Sequence, residues 1–293
     1  MRIFQEAEAV TDIGILDILK IVLIGVIEGI TEWLPVSSTG HMLLFDEFIP
    51  FAADEAFKEM FFVVIQLGAI LAVVTVFWRR MLPVTRQTPV SSTETKGRLT
   101  IDRTVIALWI KVVLACIPSA VIGLLFDDLL EEKFGSPITI SVMLIVYGIA
   151  FIIVEKIREH RTPKLDSLPN ITYMQAMLIG CFQVLSLIPG TSRSGATIIG
   201  ALIIGIARPV AAEFTFFLAV PTMLGASALK LLKFGFGLSV AELIAVALGM
   251  AVAYLVSLVA IKFLMDFVKK HSFTVFGCYR IVLGAIVLAV GLI

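Results

Sequence analysis

Long apolar segments recur along the chain and are separated by short polar connections. Six are long enough to cross a bilayer as helices, because about 20 apolar residues span its hydrocarbon core. They are Phe57–Trp78, Thr104–Phe126, Pro137–Glu155, Val210–Leu232, Ser239–Met265 and Phe273–Ile293. The pattern therefore predicts an all-α polytopic membrane protein with six transmembrane helices.

Two further apolar segments are interrupted by polar residues. Leu16–Leu44 contains two glutamates, a proline and the polar run Ser37–His41, and Tyr173–Ile206 is broken at residues 189–194, where an arginine lies. Charge and irregular backbone survive at membrane depth only where they line a protein cavity. We therefore predict a re-entrant helix–loop–helix element at 16–44 and another at 173–206. One kinked span for each segment is the alternative.

Composition agrees with a membrane protein. The 293 residues are 59% hydrophobic and 16% charged, whereas soluble domains carry about 25% charged residues. The net charge is zero, and no basic run with interleaved aromatics indicates nucleic-acid binding. The spacing of Cys116, Cys181 and Cys278 fits neither a zinc site nor a disulfide framework, so we interpret them as small apolar residues.

The charges of the connections predict orientation. Connections 79–103 and 156–172 are rich in lysine and arginine, and the positive-inside rule places such loops in the cytoplasm. Connections 45–59 and 127–136 are acidic and are predicted to lie outside. The sides alternate along the chain as the predicted spans require.

An internal repeat relates the two halves of the single membrane domain 1–293. Leu34–Ser38 is similar to Ile188–Ser192, and Leu67-Gly68-Ala69 returns as Leu224-Gly225-Ala226, at offsets of 154 and 157 residues. Each repeat, 16–155 and 173–293, holds one re-entrant element and three spans. Because three is odd, the second repeat is inverted, and the two loops are predicted to meet near the midplane.

Glu28 and Glu32 are the first candidate site. Residues four apart share one face of a helix, and two carboxylates that close repel each other unless a cation lies between them. A hard divalent ion, held by both carboxylates and by phosphate oxygens, would remove the conflict. The alternatives are a pair that faces a watery vestibule and a pair with one protonated member.

The run that follows Pro35 supplies hydroxyl groups and a histidine. Ser37, Ser38 and Thr39 suit phosphate oxygens, and Ser38 is the candidate nucleophile. His41 is the candidate acid or base, because it is the only histidine in an apolar region. A lone histidine is also commonly structural.

Arg193 is the third candidate, and it is flanked by small residues. A guanidinium binds phosphate through two parallel bonds and keeps its charge, and glycine lets the backbone approach an anion. The neighbouring candidates for substrate binding are Gly190, Ser192, Ser194 and Thr197. The alternative is an arginine that pairs with Glu28 or Glu32 only to fix the fold.

Together these residues supply an anion clamp, a metal site and an acid or base, as phosphoryl transfer requires. A site at the midplane implies a substrate with a lipid tail and an anionic head. The residues alone indicate a phosphate-handling membrane protein. They leave open a transporter or flippase of an anionic polyprenyl lipid, since inverted repeats with re-entrant loops are also a transporter architecture.

Two stretches resemble the signatures of the undecaprenyl-diphosphate phosphatase family, the bacitracin-resistance proteins. They are Glu28–His41 and Pro189–Thr197, and the similarity extends through Val64–Val73 and Glu213–Pro221. The resemblance implies a multi-pass hydrolase of the bacterial inner membrane that converts undecaprenyl diphosphate to undecaprenyl phosphate and inorganic phosphate. The lipid carrier then returns to peptidoglycan synthesis. The resemblance also implies a requirement for Mg²⁺ or Ca²⁺, a site open to the periplasm, and a homodimer.

The resemblance also implies roles for single residues. Glu28 and Glu32 would be catalytic or metal-binding carboxylates, His41 an essential acid, base or nucleophile, and Ser38 a candidate nucleophile. Water activated by Glu32 or His41 is the alternative attacking group. The residues that would bind the phosphates are Ser192, Arg193 and Thr197.

Overall fold

The computed structural model describes residues 14–50, 53–86, 99–235 and 237–291. Helices α1 to α6 are Ile15–Thr31, Ser38–Phe48, Glu55–Val64, Gln66–Met81, Arg103–Phe134 and Pro137–Arg158. Helices α7 to α11 are Tyr173–Val184, Arg193–Ile204, Arg208–Phe234, Val240–Lys270 and Thr274–Val290. Strands β1 (Val84–Arg86) and β2 (Leu99–Ile101) form an antiparallel hairpin in which Val84 pairs with Ile101. The middle of the basic connection 79–103 lies outside the described residues.

Five helical segments in the described part of the chain are long and apolar enough to cross a membrane. They are Glu55–Met81, Arg103–Phe126, Pro137–Arg158, Arg208–Phe234 and Val240–Lys270. The first consists of α3 and α4, which adjoin at Ile65. Helix α11 lies in the sixth predicted span but has 17 residues, so six spans stay a prediction. The all-α polytopic architecture is confirmed.

The outer surfaces of these helices are apolar. Leu124 and Val259 are each 70% exposed, and large exposed apolar patches on a protein mark contact with a partner or a membrane. The boundaries of both acidic connections differ from the sequence prediction, because α2 continues to Phe48 and α3 begins at Glu55. Helix α5 continues to Phe134, so most of the acidic connection predicted at 127–136 is helical.

The first interrupted segment folds as a helix, a loop and a second helix. Lys20 Nζ, near the start of α1, donates to the carbonyl of Pro50, just beyond α2, at 2.8 Å. Helix α2 therefore leads back to the end of the bundle at which α1 begins. Helix α1 packs closely on α10 at Gly25 and Gly29. A Cβ on either glycine would come within 3 Å of the α10 backbone, so the close approach depends on the missing side chains.

The second interrupted segment has the same form. The amide of Ala207, beyond α8, donates to the carbonyl of Leu165, ahead of α7, at 2.8 Å. Helix α8 therefore returns to the end at which α7 begins. Helix α7 packs on α5 at Gly180, where a Cβ would lie 2.2 Å from the carbonyl oxygen of Ala115. Such small residues let helix backbones approach each other in membranes.

An aromatic core lies beside the two loops. Trp33, in the first loop, is fully buried and packs edge-on against Phe216 of α9 at 5.2 Å between ring centroids. Phe77 of α4 contacts the rings of Phe216 and Phe217 at 6.1 and 5.8 Å. This core holds the first loop against α9, the helix that also contacts Arg193.

Candidate active site

The two loops that interrupt the apolar segments end in the same backbone conformation. Ser37 (φ 76°) precedes α2 and Ser192 (φ 70°) precedes α8, and no other non-glycine residue in the described ranges has a positive φ. Such conformations are strained and concentrate at functional sites. The two serines are 155 residues apart, one more than the offset of the Leu34–Ser38 motif. Ser37, rather than Ser38, is therefore the counterpart of Ser192.

The first residues of α2 and α8 both bond Glu32. Arg193 Nη2 donates to Glu32 Oε1 at 2.8 Å, and Ser38 Oγ donates to Glu32 Oε2 at 3.3 Å. The side chains of Arg193 and Glu32 are 11% and 9% exposed. Three candidates from opposite halves of the sequence thus meet at one nearly buried point.

Arg193 is held by more than its carboxylate partner. Nη1 donates to the carbonyl of Thr215 at 2.9 Å, and Nη2 lies 3.2 Å from the sulfur of Met223. The guanidinium also lies over the Trp33 ring, 5.7 Å from its centroid. Helix α9 and the aromatic core therefore fix the orientation of this cation.

Glu28 lies one helical turn before Glu32 and is 1% exposed. The two carboxyls interact with each other, and Glu28 Oε1 has no hydrogen-bond partner. A buried oxygen without a partner calls for a proton, an ion or a ligand. Two carboxylates suit Mg²⁺, which is commonly held by one or two carboxylates plus substrate phosphates. No larger cluster of metal-ligating side chains occurs among the described residues.

His41 lies on the first turns of α2 and bonds away from the carboxylates. Nδ1 is 2.7 Å from the carbonyl of Ser37 and Nε2 is 2.7 Å from the hydroxyl of Tyr279. A carbonyl only accepts, so Nδ1 carries a proton, and neutral His41 accepts from Tyr279 at Nε2. Hydrogen bonds from His41 to Glu28, Glu32 or Arg193 are absent from the described contacts. His41 therefore contacts the first loop of the site through the carbonyl of Ser37, the residue with the positive φ.

The remaining predicted residues occupy different places. Ser194 donates to the carbonyl of Glu32 at 3.3 Å, and Ser192 caps α8 and contacts the Ser194 hydroxyl. Thr197 is fully buried and bonds the Thr215 hydroxyl at 3.0 Å. These hydrogen bonds within the protein stabilise the second loop and the start of α8. Thr39 is exposed, and the contacts described for this chain give it no hydrogen bond to the other candidates.

Arg280 is a site residue that the sequence analysis missed. It is fully buried on α11 and donates to the carbonyls of Pro35, Gly190 and Thr191 at 3.3, 2.8 and 2.8 Å. One cation therefore binds the backbone of both loops. The signal was present, because an arginine inside an apolar span is a candidate functional residue.

Buried polar atoms without partners concentrate at these loops. Within the described residues, all but one of the atoms found belong to the two loops, to the helix turns beside them or to Arg280; the exception is Gln183 Oε1. Unpaired buried polar atoms are rare in native proteins. The loop atoms are Glu28 Oε1, Trp33 Nε1, Ser37 Oγ, Thr191 Oγ1, Arg193 Nε and Arg280 Nε. Their concentration indicates a site for a polar ligand.

Comparison with known proteins decides the family. The family described as Bacitracin resistance protein BacA matches residues 21–286. The chain belongs to this family. A protein of Enterococcus faecalis named undecaprenyl-diphosphatase is 59% identical over 275 residues, 94% of this chain and 97% of the relative. A second so named, of Desulfitobacterium hafniense, is 52% identical over 276 residues, 94% and 96% of the two chains.

For a BacA-family chain, the geometry combines three chemical capacities. Arg193 offers a fixed positive charge, Glu32 with Ser38 offers a base beside a hydroxyl, and Glu28 with Glu32 offers oxygen ligands for a cation. All three lie at the ends of broken helices inside an apolar bundle. Phosphoryl transfer uses this combination of charge neutralisation and positioning.

Two other buried charged residues, Lys111 and Glu213, lie outside the site. Glu213 of α9 forms an ion pair with Arg80 at 2.5 Å. Lys111 of α5 is buried and donates to the carbonyl of Pro169 at 2.9 Å. Each buried charge has a partner, as the cost of burying an isolated charge requires.

Proposed function

We propose that this protein hydrolyses undecaprenyl diphosphate to undecaprenyl phosphate and inorganic phosphate and so returns the lipid carrier to peptidoglycan synthesis. One observation carries the proposal: Arg193 and Ser38, from opposite halves of the chain, both bond Glu32 inside an apolar bundle. A diphosphate headgroup on a prenyl chain matches a charged site in an apolar surrounding. The names of the relatives support the same substrate.

The reaction breaks the bond between the terminal phosphorus and the bridging oxygen. A water oxygen forms the new bond to that phosphorus, either directly or after Ser38 has taken the phosphoryl group. Undecaprenyl phosphate leaves, and Glu32 accepts the proton of the attacking hydroxyl. Arg193 neutralises charge on the phosphoryl oxygens, a contribution worth about 3–4 kcal/mol for a single well-placed donor.

His41 is the proposed acid or base for the remaining proton transfers of this reaction. Its Nε2 accepts from Tyr279, so a proton can pass between the two side chains along this bond. Ser192 and Ser194 hold the loop that presents Arg193, and Gly190 with Ser37 shapes the backbone around the phosphates. Thr197 supports α8 from behind, and Thr39 lies at the exposed rim.

Glu28 and Glu32 would hold the divalent cation, Mg²⁺ or Ca²⁺. The unpartnered Glu28 oxygen supports this assignment. When bound, the cation supplies positive charge to the diphosphate oxygens. Its charge would offset the repulsion between the two carboxylates.

We also propose the inverted-repeat topology, with six spans, two re-entrant elements and a site that opens to the exterior. The return of α2 and α8 to their starting ends supports it, as do the loop charges. Cysteine labelling from each side of intact membrane vesicles tests the orientation. The homodimer implied by the family stays a prediction, and mass measurement in detergent tests it.

Phosphate release tests the function. Purified protein with undecaprenyl diphosphate should release one inorganic phosphate for each lipid monophosphate formed. A lipid transporter releases none, so the absence of phosphate would contradict the proposal. Rapid quenching followed by mass spectrometry then identifies the attacking group. Phosphorylated Ser38 or His41 marks a covalent route, and label from isotopic water in the phosphate, without a phosphorylated residue, marks direct attack.

A further inference from the structure

A cavity of about 320 Å³ opens between α5, the end of α7 and α9. Its wall is mostly apolar and includes Gly123, Leu187, Pro221, Gly225 and Ala226. Small-molecule sites are clefts of this kind, with volumes of roughly 300–1,000 Å³ and mainly apolar linings. The cavity is therefore large enough for part of a hydrocarbon chain.

The inner end of this cavity lies next to Arg193. Thr222 lines the cavity, and the next residue, Met223, contacts Arg193 Nη2 at 3.2 Å. Gln183 also lines it and donates to the hydroxyl of Ser119 at 2.5 Å. The oxygen of that amide, Gln183 Oε1, is buried without a partner. Gln183 and Thr222 thus form a polar neck at the end of the cavity nearest to Arg193.

The cavity exists because the two repeats pack differently at one position. Gly68 and Gly225 correspond in the Leu-Gly-Ala motif. A Cβ on Gly68 would lie 2.0 Å from the carbonyl oxygen of Met250 on α10, whereas a Cβ on Gly225 would meet nothing within 4 Å. On α5, Cys116 lines the cavity. Helices α4 and α10 are in contact where α9 and α5 leave a gap.

Two further cavities in the described part of the chain have many more charged residues in their walls. The first, of about 840 Å³, mixes apolar residues with charged ones that include Arg79, Glu213 and Lys262. The second, of about 200 Å³, is lined by Arg158, Arg161 and other charged residues. An apolar chain gains free energy when it leaves water for an apolar surface. The cavity beside Gly225, with its mostly apolar wall, therefore fits such a chain better than these two.

We infer that this cavity binds the segment of the prenyl chain nearest to the diphosphate. The inference rests on the proposed function, because it assumes that the diphosphate lies at Arg193. The first isoprene units then pass the neck between Gln183 and Thr222 and lie along Gly225 and Ala226. The unpaired Gln183 oxygen accepts a hydrogen bond from water that solvates the headgroup.

Filling the cavity tests the inference. Ala226→Leu places a larger side chain on the cavity wall, and Ala228→Leu places the same side chain on the exposed surface of the same helix. Gly225→Leu is a second filling variant, and its new Cβ has free space. For farnesyl diphosphate and undecaprenyl diphosphate, both filling variants should raise KM about tenfold, the loss expected when roughly two CH₂ groups leave an apolar pocket. Ala228→Leu should keep the wild-type KM.

A binding measurement separates this inference from the proposed function. In a protein with Cys181 and Cys278 replaced by serine, farnesyl methylenediphosphonate should slow the modification of Cys116 by a small apolar thiol reagent. Protection of Cys116 supports the cavity even if the protein releases no phosphate. Equal KM values in Ala226→Leu, Gly225→Leu and wild type, or unchanged labelling of Cys116, would overturn the inference and leave phosphate release unaffected.

Discussion

Arg193 donates to Glu32 at 2.8 Å across a separation of 161 residues in sequence. The pair joins the loop after α1 to the first residue of α8. Each partner is nearly buried, so the loss of either leaves the other as an unpaired charge of low exposure. The contact therefore links the chemistry of the site to the stability of the fold.

Arg193→Lys should lower turnover of undecaprenyl diphosphate about a hundredfold, because lysine keeps the charge and loses the planar fork that fits a phosphate. Arg193→Ala should lose at least as much. Arg80→Ala, which breaks an ion pair outside the site, should keep near-normal turnover. Initial rates of phosphate release provide the measurement, and wild-type rates in Arg193→Ala would remove this residue from the mechanism.

Glu28→Gln should weaken cation binding more than it weakens substrate binding. Chelation of divalent ions should abolish phosphate release from the wild type, and Mg²⁺ or Ca²⁺ should restore it. In Glu28→Gln we expect the half-activating ion concentration to rise about tenfold or more, because one charged ligand is lost. Full activity of the wild type in excess chelator would instead leave the two glutamates as bases.

Arg280→Met should reduce stability and turnover together. It removes the donors to three buried carbonyls, and each buried acceptor left unpaired costs about 1–3 kcal/mol. Lys111→Met is the matched control. It removes another buried cation, which bonds the single carbonyl of Pro169, a residue of neither loop. Thermal unfolding should shift downward in both variants. If kcat also fell equally in both, Arg280 would have no specific role in positioning the loops.

Tyr279→Phe should slow turnover roughly tenfold while KM changes little. The variant removes the hydroxyl that bonds His41 Nε2, so the ring loses the contact that fixes its orientation and its route for a proton, and such proton transfers contribute about 10²–10⁴ in rate. Tyr254→Phe, whose hydroxyl contacts Thr75 at 3.3 Å, is the control. His41→Ala should lose more activity than Tyr279→Phe; the reverse order would contradict the proton transfer between them.

The sequence by itself determined the solvent, the helices and most of the charged candidates. A bilayer leaves no water for backbone groups, so long apolar segments must be helical, and polar interruptions such as the one at Ser37–His41 stand out. For the same reason Glu32 and Arg193 could be singled out as functional. Arg280 obeys the same rule, since it is the one charged residue in the apolar segment 273–293.

Tertiary structure alone decided which of these residues meet. His41 bonds Tyr279, Thr197 bonds Thr215 behind α8, and the positive φ pairs Ser37, rather than Ser38, with Ser192. None of these follows from local pattern, because each depends on how helices far apart in sequence pack. The gap beside Gly225 has the same origin, since the identical Leu-Gly-Ala motif is closely packed at Gly68 and open here. Periodicity and hydropathy specify the elements, whereas close packing between them specifies the site.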